Sequence, residues 1–393
     1  MLTKQTQIEL SNEQVEEIIR WRRYLHQHPE LSFQEHKTSA FLYETLLTFP
    51  NLEVTRPTAT SVMAVLKGGH PGKVIGFRAD IDALPIQEET GLPFASNYDG
   101  VMHACGHDGH TAILLGVAKV LSAQQEKIHG EIRFFFQHAE EQLPGGAREM
   151  VEAGVTDGVD YVFGLHLSSL TPVGQLTITP GAATSNSDMF HVTIKGKGGH
   201  SSQPENTVDP VVTSAQIITN LQTIVSRITS PKDELVVSVT TLQAGDAVNV
   251  IPEEVKIGAS VRSFNQEVRK KAVEAIEQII KGVTEANGCH YELNYTYGYD
   301  SVVNEPGASA IAMEAIRRKL GEEAVIEAEA IMGGEDFSAF SNIVPGSFVF
   351  VGACSPDNPS PAPHHHPKFM IDEDALVYGA NMFLSIAEDL VLE

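Results

Sequence analysis

Several apolar, strand-like runs in this chain stop abruptly at clusters of ionisable residues, and that pattern limits the fold more than any other feature. Residues 74–82 (VIGFRADID) are apolar until they turn acidic, residues 132–136 run into QHAEE at 137–141, and residues 161–167 carry GLH at 164–166. A fourth cluster, HACGHDGH at 103–110, opens a stretch (109–123) with small and aliphatic residues all round, which reads as a buried helix. Residues 347–353 give one more buried strand. Short strands alternating with such helices predict an α/β domain on a mixed, mostly parallel sheet. In these sheets ligands gather at the carboxyl ends of the strands, which is where the clusters fall.

The N-terminal segment predicts a helix, with Ser11 as cap, Gln14 at the capping-box position and Pro29 marking the exit. Residues 188–300 have a different texture. Four alternating, β-rich segments (189–199, 234–245, 254–264, 290–300) surround two amphipathic helices near 209–227 and 266–285. A strand–helix–strand–strand–helix–strand order is an α+β sandwich. The α/β pattern resumes after it, so the sandwich reads as an insertion. The expected division is a catalytic domain over residues 1–186 and 302–393, with an inserted domain over 187–301; 393 residues suffice for two or three domains.

Gross composition excludes several functions. A net charge of −24 argues against nucleic acid or an anionic membrane as partner, since both require a concentrated basic face. No apolar run approaches the roughly 18 residues needed to span a bilayer. The opening residues are polar and lack an apolar signal-peptide core, so the expected location is the cytoplasm. Three cysteines (Cys105, Cys289, Cys354) lie far apart with no CxxC pair, which fits a reducing compartment rather than a disulfide framework.

HACGHDGH is the strongest chemical signal. Cys105 and His107 are separated by one glycine, so both can approach a common ion, and thiolate and imidazole suit zinc and similar divalent metals. A buried structural cysteine is the commoner role for any single such residue. Three histidines, a cysteine and an aspartate within eight residues favour metal binding. Adjacent carboxylates are usually solvated surface, but Glu140 and Glu141 follow the apolar run IRFFF and precede PGG. Their side chains diverge, so one can bind metal while the other acts as general base, the division that hydrolysis by activated water requires. His166 alone would be weak, and the internal triplet 364–366 could be only a polar loop. Arg262 could be a surface ion pair, or could grip a substrate carboxylate bidentately.

Taken together, LHQHPELSFQE (25–35), FRADIDALPIQE (77–88), MHACGHDGHTA (102–112), AEEQLPGGAREMVEAG (139–154), GLH, GKGGHSSQP (196–204), NVIP (249–252), GGEDFSAF (333–340) and HHPKF (365–369) resemble the aminoacylase/carboxypeptidase metallohydrolase family over nearly the whole chain. The similarity is to the branch of N-acyl-L-amino-acid amidohydrolases, hippurate hydrolases and auxin-conjugate hydrolases. The resemblance implies two divalent metals, zinc or manganese with cobalt or nickel as substitutes, held by Cys105, His107, Glu141, His166 and a histidine of the C-terminal loop. The family frame puts that last ligand at His365, with His364 in a leucine position and His366 in a variable one. Cys105 would span both ions, Glu140 would be the general base and Asp82 would support the site. It further implies that the insertion is a lid that forms a homodimer, that His200 polarises the scissile carbonyl in a partner's site, and that Asn249 and Arg262 bind the substrate's carboxylate end. Two departures bear on specificity: GLH is not followed by a tryptophan and proline, and Pro204 is followed by Glu205 rather than histidine.

The resulting expectation is metal-dependent hydrolysis of N-acyl-L-amino acids. A dipeptidase or carboxypeptidase acting on small peptides is the alternative enzyme, and a catalytically silent metal- or ligand-binding protein is the reading from another class.

Overall fold

The computed structural model describes residues 8–358 and 361–392. The expected catalytic domain also includes residues 1–7, 359–360 and 393, which lie outside the described residues. The described chain separates into two compact units. One contains the residues up to Ala183, Val302–Ala330 and the residues from Asp336 onward; the other contains Thr184–Ser301 and Ile331–Glu335.

The first unit is built on an eight-stranded sheet. Its four central strands, in spatial order His129–Gln137, His70–Asp80, Tyr161–Pro172 and Gly346–Cys354, are parallel. Antiparallel partners flank them: Val62–Lys67 and then Leu52–Thr55 on one side, Leu176–Ile178 on the other, with Val325–Glu327 parallel to this last strand. This is the mixed, mostly parallel α/β sheet expected from the strand pattern. Strand His129–Gln137 shows why its sequence is continuously apolar. Phe134 and Phe136 enter one core, while Phe135 enters a second with Phe337, Phe340 and Phe348; all three are fully buried. A strand covered on both faces has no side to give to polar residues. Each such side chain contributes about 1.5–3 kcal/mol of burial.

Helix Asn12–Gln27 begins with the expected capping box, in which the Ser11 hydroxyl accepts from the Gln14 amide and the Gln14 side chain accepts from the Ser11 amide. Helix His107–Ser122 is buried almost throughout, since it packs on strand His70–Asp80 and against helices Asn12–Gln27 and Asp374–Leu390. That enclosure explains its lack of a polar stripe.

The second unit has a four-stranded antiparallel sheet in the order Leu235–Ala244, Glu254–Ser263, Asp188–Lys195, His290–Thr296. Helices Pro210–Thr223 and Gln266–Ala286 pack on it and share its core; Asp209 and Asn265 cap them by accepting from the second and third amides. A buried carboxylate, Asp188, pins the end of the sandwich. It accepts from Arg269 Nε at 2.8 Å and Nη2 at 2.5 Å, from the Tyr295 hydroxyl at 2.8 Å and from the Gly298 amide at 2.9 Å. All three cysteines are free thiols. Among the described residues, no helix is long and apolar enough to cross a membrane.

Candidate metal centre

The ends of three parallel strands and two loops deliver the ionisable side chains of the first unit. Strand His70–Asp80 supplies Asp80, and Asp82 follows in the loop beyond it. Strand Tyr161–Pro172 carries His166, paired with Phe350 of the neighbouring strand. Beyond strand His129–Gln137 the backbone of Ala139 enters the left-handed region (φ 51°) just before Glu140 and Glu141. Gly106 (φ 94°) caps the N-terminus of helix His107–Ser122, a conformation that suits glycine and lets the chain reverse between Cys105 and His107. The histidine loop is tied to this turn by the His365 amide, which donates to the Ala104 carbonyl at 2.9 Å, and His365 is itself left-handed (φ 61°).

Two sets of donor atoms meet at Cys105. Those of Cys105, His107 and Glu141 lie within 4.8 Å of one another, and so do those of Cys105, His166 and His364. His166 Nε2 is 3.4 Å and His364 Nδ1 3.6 Å from Cys105 Sγ. His365 Nε2 lies 3.3 Å from Glu141 Oε1. The loop thus brings His364 to one set and His365 to the other, whereas His366 Nδ1 is occupied by the Lys368 amide at 3.0 Å. His364, a leucine position in the family frame, faces Cys105 with Nδ1 while its Nε2 accepts from the Ser169 amide at 3.4 Å, so the neutral ring carries its proton on Nδ1.

Second partners fix which ring nitrogen each histidine presents. His166 Nδ1 donates to the Leu167 carbonyl at 2.9 Å, leaving Nε2 as a lone pair toward Cys105. His107 Nδ1 donates to Asp82 Oδ1 at 3.2 Å, and His107 Nε2 is buried without a hydrogen-bond partner. Glu141 Oε1 lies 3.8 Å from that nitrogen and faces His365 Nε2 at 3.3 Å. A buried, unpartnered ring nitrogen beside a carboxylate and a thiol is the donor set a divalent cation satisfies. His110 is different: Nδ1 donates to Asp80 at 2.6 Å and Nε2 accepts from the Leu167 amide at 2.8 Å, so both nitrogens are engaged. It joins two strands rather than offering a lone pair. Asp80 is further held by Arg78 at 2.8 Å.

The electrostatics fit a bound cation. Burial, and the nearby charges of Glu141, Glu140 and Asp80, push the Cys105 thiol well above its ordinary value. A divalent ion reverses this by favouring thiolate, as does the helix N-terminus two residues on. Burial opposes charge on His107, but Asp80, the Asp82 hydrogen bond and Glu141 outweigh it and raise the group to about 10, so an ion binding at Nε2 would displace a proton that these carboxylates otherwise hold. Burial, with His110 and His364 alongside, holds His166 well below its usual value, and burial takes His364 down to about 4. A neutral imidazole is the ligating form. Glu140 is 7% exposed, next to the donor set in the chain.

His200, Asn249 and Arg262 belong to the second unit. His200 and Asn249 meet on a two-stranded ribbon, where Gly199–His200 pairs with Val250–Ile251 and the Ser201 amide donates to the Asn249 carbonyl at 3.1 Å. The Ser202 amide donates to His200 Nδ1 at 3.1 Å, and the Ser202 hydroxyl lies 2.8 Å from the same atom. Because an amide can only donate, Nδ1 is the acceptor and neutral His200 carries its proton on Nε2. Arg262 is half-buried, its Nε donating to Ser260 at 3.2 Å. Gly334 passes over it so closely that a Cβ there would lie 3.2 Å from Arg262 Nη1.

The profile of peptidase family M20/M25/M40 matches residues 76–389. A Geobacillus stearothermophilus protein named N-acyl-L-amino acid amidohydrolase is 52% identical over 322 residues, 81% of this chain and 87% of that protein. A Bacillus subtilis protein named N-acetylcysteine deacetylase is 42% identical over 96% of this chain and 97% of its own length. The crystal structure of a Bacillus subtilis protein described as a dinuclear metal binding peptidase from the M20 family superposes with a TM-score of 0.83 at 37% identity, covering 96% of this chain and 98% of that one. The chain belongs to peptidase family M20/M25/M40.

Proposed function

We propose that this chain hydrolyses the amide bond of N-acyl-L-amino acids, with Glu140 as general base beside a centre of two divalent ions. The observation that carries the reading is the convergence of two donor sets on Cys105 with Glu140 next to Glu141. Cys105, His107, Glu141, His166 and His365 would hold the ions, with Cys105 shared. Zinc or manganese suits this mixture of sulfur, nitrogen and carboxylate, and cobalt or nickel could substitute. When bound, the ions supply Lewis-acid chemistry, acidifying water and polarising the acyl carbonyl.

Glu140 takes the proton from the attacking water and passes it to the leaving amino nitrogen, so one carboxylate serves both steps. Asp82 holds His107 in the tautomer that presents Nε2. His200 donates from Nε2 to the developing oxyanion. Arg262 and Asn249 bind the free carboxylate, which both N-acyl amino acids and small peptides carry. Names of relatives at 52% and 42% identity support N-acyl amino acids; the name of the M20 structure supports a peptidase as the second reading.

The inserted unit is the lid and the dimer interface in this reading, spanning residues 187–301. Strand Leu235–Ala244 is a sheet edge, and Val211 and Val212 are exposed on the adjoining helix Pro210–Thr223, as are Val225 and Ile228 on the π-helical turn Ile224–Ile228 that follows it. An apolar row beside an open edge is a surface that a second copy covers. His200 would then serve the partner's centre. The cytoplasm is the proposed location.

The reading is tested by measuring turnover of N-acetyl amino acids and dipeptides with added zinc, manganese or cobalt. Acyl amino acids cleaved faster than dipeptides support it; the reverse order favours the peptidase.

A further inference from the structure

The segment containing Glu140 is gripped from both sides by buried carboxylates that lie far away in sequence. The Ala139 amide donates to Glu35 Oε1 at 2.8 Å, and the Glu141 amide donates to Asp82 Oδ2 at 3.0 Å. Glu35 and Ala139 are fully buried. The same Oε1 accepts the Phe33 amide at 3.0 Å, and the Thr60 hydroxyl donates to Oε2 at 2.9 Å. Phe33 (φ 63°) and Ala139 (φ 51°) are both left-handed and neither is glycine. One carboxylate oxygen therefore holds two strained backbone positions, the second immediately before Glu140. The Ser32 hydroxyl donates to Asp82 Oδ2 at 2.6 Å, so Ser32 and Glu35 of one short segment serve the two sides of the grip.

Glu35 also gives up a local alternative. It occupies the N-cap of helix His36–Leu47, yet its side chain makes no capping hydrogen bond to that helix. Glu305, at the N-cap of helix Pro306–Leu320, does accept from an amide of its own helix, that of Ala308. Glu35 instead turns away to reach Phe33, Thr60 and Ala139.

We propose that Glu35 is a positioning residue for the reaction: by holding Ala139 in its left-handed conformation it sets the direction in which Glu140 leaves the backbone. The inference rests on the reading of Glu140 as base. Glu35 has no role toward the metals in it, which separates it from Asp82, whose other oxygen orients His107.

The test compares Glu35→Ala, Glu35→Gln and Glu35→Asp in the metal-loaded enzyme, with metal content, melting temperature, kcat and KM for an N-acetyl amino acid measured on each. Glutamine keeps an acceptor oxygen at the same reach, whereas aspartate withdraws it by one methylene. Glu35→Ala should lose up to about 100-fold in kcat, the cost of displacing a reacting group by about 1 Å, with KM and metal content close to wild type. Glu35→Gln should restore kcat to within about threefold of wild type, and Glu35→Asp should fall between. Wild-type kcat per loaded chain in Glu35→Ala would overturn the proposal, as would glutamine being as impaired as alanine. If the alanine variant does not fold, a reduced kcat in Glu35→Asp with near-normal Glu35→Gln supports the role, and any other pairing overturns it. Full activity in Glu140→Gln would instead remove the base reading itself.

Discussion

His166 Nε2 faces Cys105 Sγ at 3.4 Å because its Nδ1 is committed to the Leu167 carbonyl. The lone pair and the thiol belong to one donor set, and Cys105 also belongs to the other. Cys105→Ala should therefore reduce metal content at both positions, not at one. Elemental analysis of the purified variant checks this, and full occupancy would end the shared-ligand role.

Glu140→Gln keeps the side chain's shape and removes its basicity. Turnover should fall about 10²- to 10⁴-fold with metal content unchanged. A rate near wild type would assign the proton transfer elsewhere.

Asp82 touches no substrate in the proposed reaction, but it orients His107 at 3.2 Å and holds the Glu141 amide at 3.0 Å. Asp82→Asn should lower metal affinity or activity by about 10- to 100-fold. Competition with a chromophoric chelator measures the affinity directly, and an unchanged constant together with an unchanged rate would refute the supporting role.

Ser202→Ala removes the hydroxyl next to His200 Nδ1 but leaves the main-chain amide. The proton should stay on Nε2, and kcat should fall by less than about tenfold, well short of His200→Ala, which loses the donor altogether. Equal losses in the two variants would place the hydroxyl, not the ring, in the reaction.

A pH effect follows from His26, which pairs with the buried Asp108 and the part-buried Glu88. His26 donates to Asp108 at 2.9 Å and to Glu88 at 3.3 Å; burial opposes its charge, but these partners raise it above 6.5. Burial pushes Glu88 up, but His26 and the Ser96 amide outweigh it and bring it from 4.5 to about 2. The His26 contribution is thus complete below the ordinary imidazole value and lost as pH rises through the raised one. That of Glu88 is complete above 4.5 and lost as pH falls toward about 2. Removing one partner of such a pair costs up to about 3–5 kcal/mol. The melting temperature of His26→Gln should lie furthest below wild type near pH 5–6, converging with it at alkaline pH; a gap constant with pH would contradict the charged pairing.

The parallel strands were legible because they are apolar on both faces and two of them run directly into charge, as Phe134–Phe136 before Glu140 shows. Ser11 and Gln14 marked their helix for an equally local reason. Helix Asp374–Leu390 and the antiparallel strands Leu52–Thr55 and Val62–Lys67 were not picked out; their elements lack a polar cluster or an unmistakable cap. In the centre, Cys105 and His107 were readable from spacing, as was the Glu140–Glu141 pair without its division of roles; that division, His166 and the triplet needed the family's frame. Glu35, Asp80 and His364 became visible only in three dimensions. Their partners lie 104, 30 and 259 positions away, and no local pattern encodes a pairing at such separations.

The most direct test is to strip the protein with a chelator, titrate it with zinc, manganese or cobalt, and follow hydrolysis of an N-acetyl-L-amino acid. Activity should vanish on stripping and return in proportion to bound ion, levelling at two per chain. Unchanged turnover in the stripped protein, or none with any of these ions, would contradict the account.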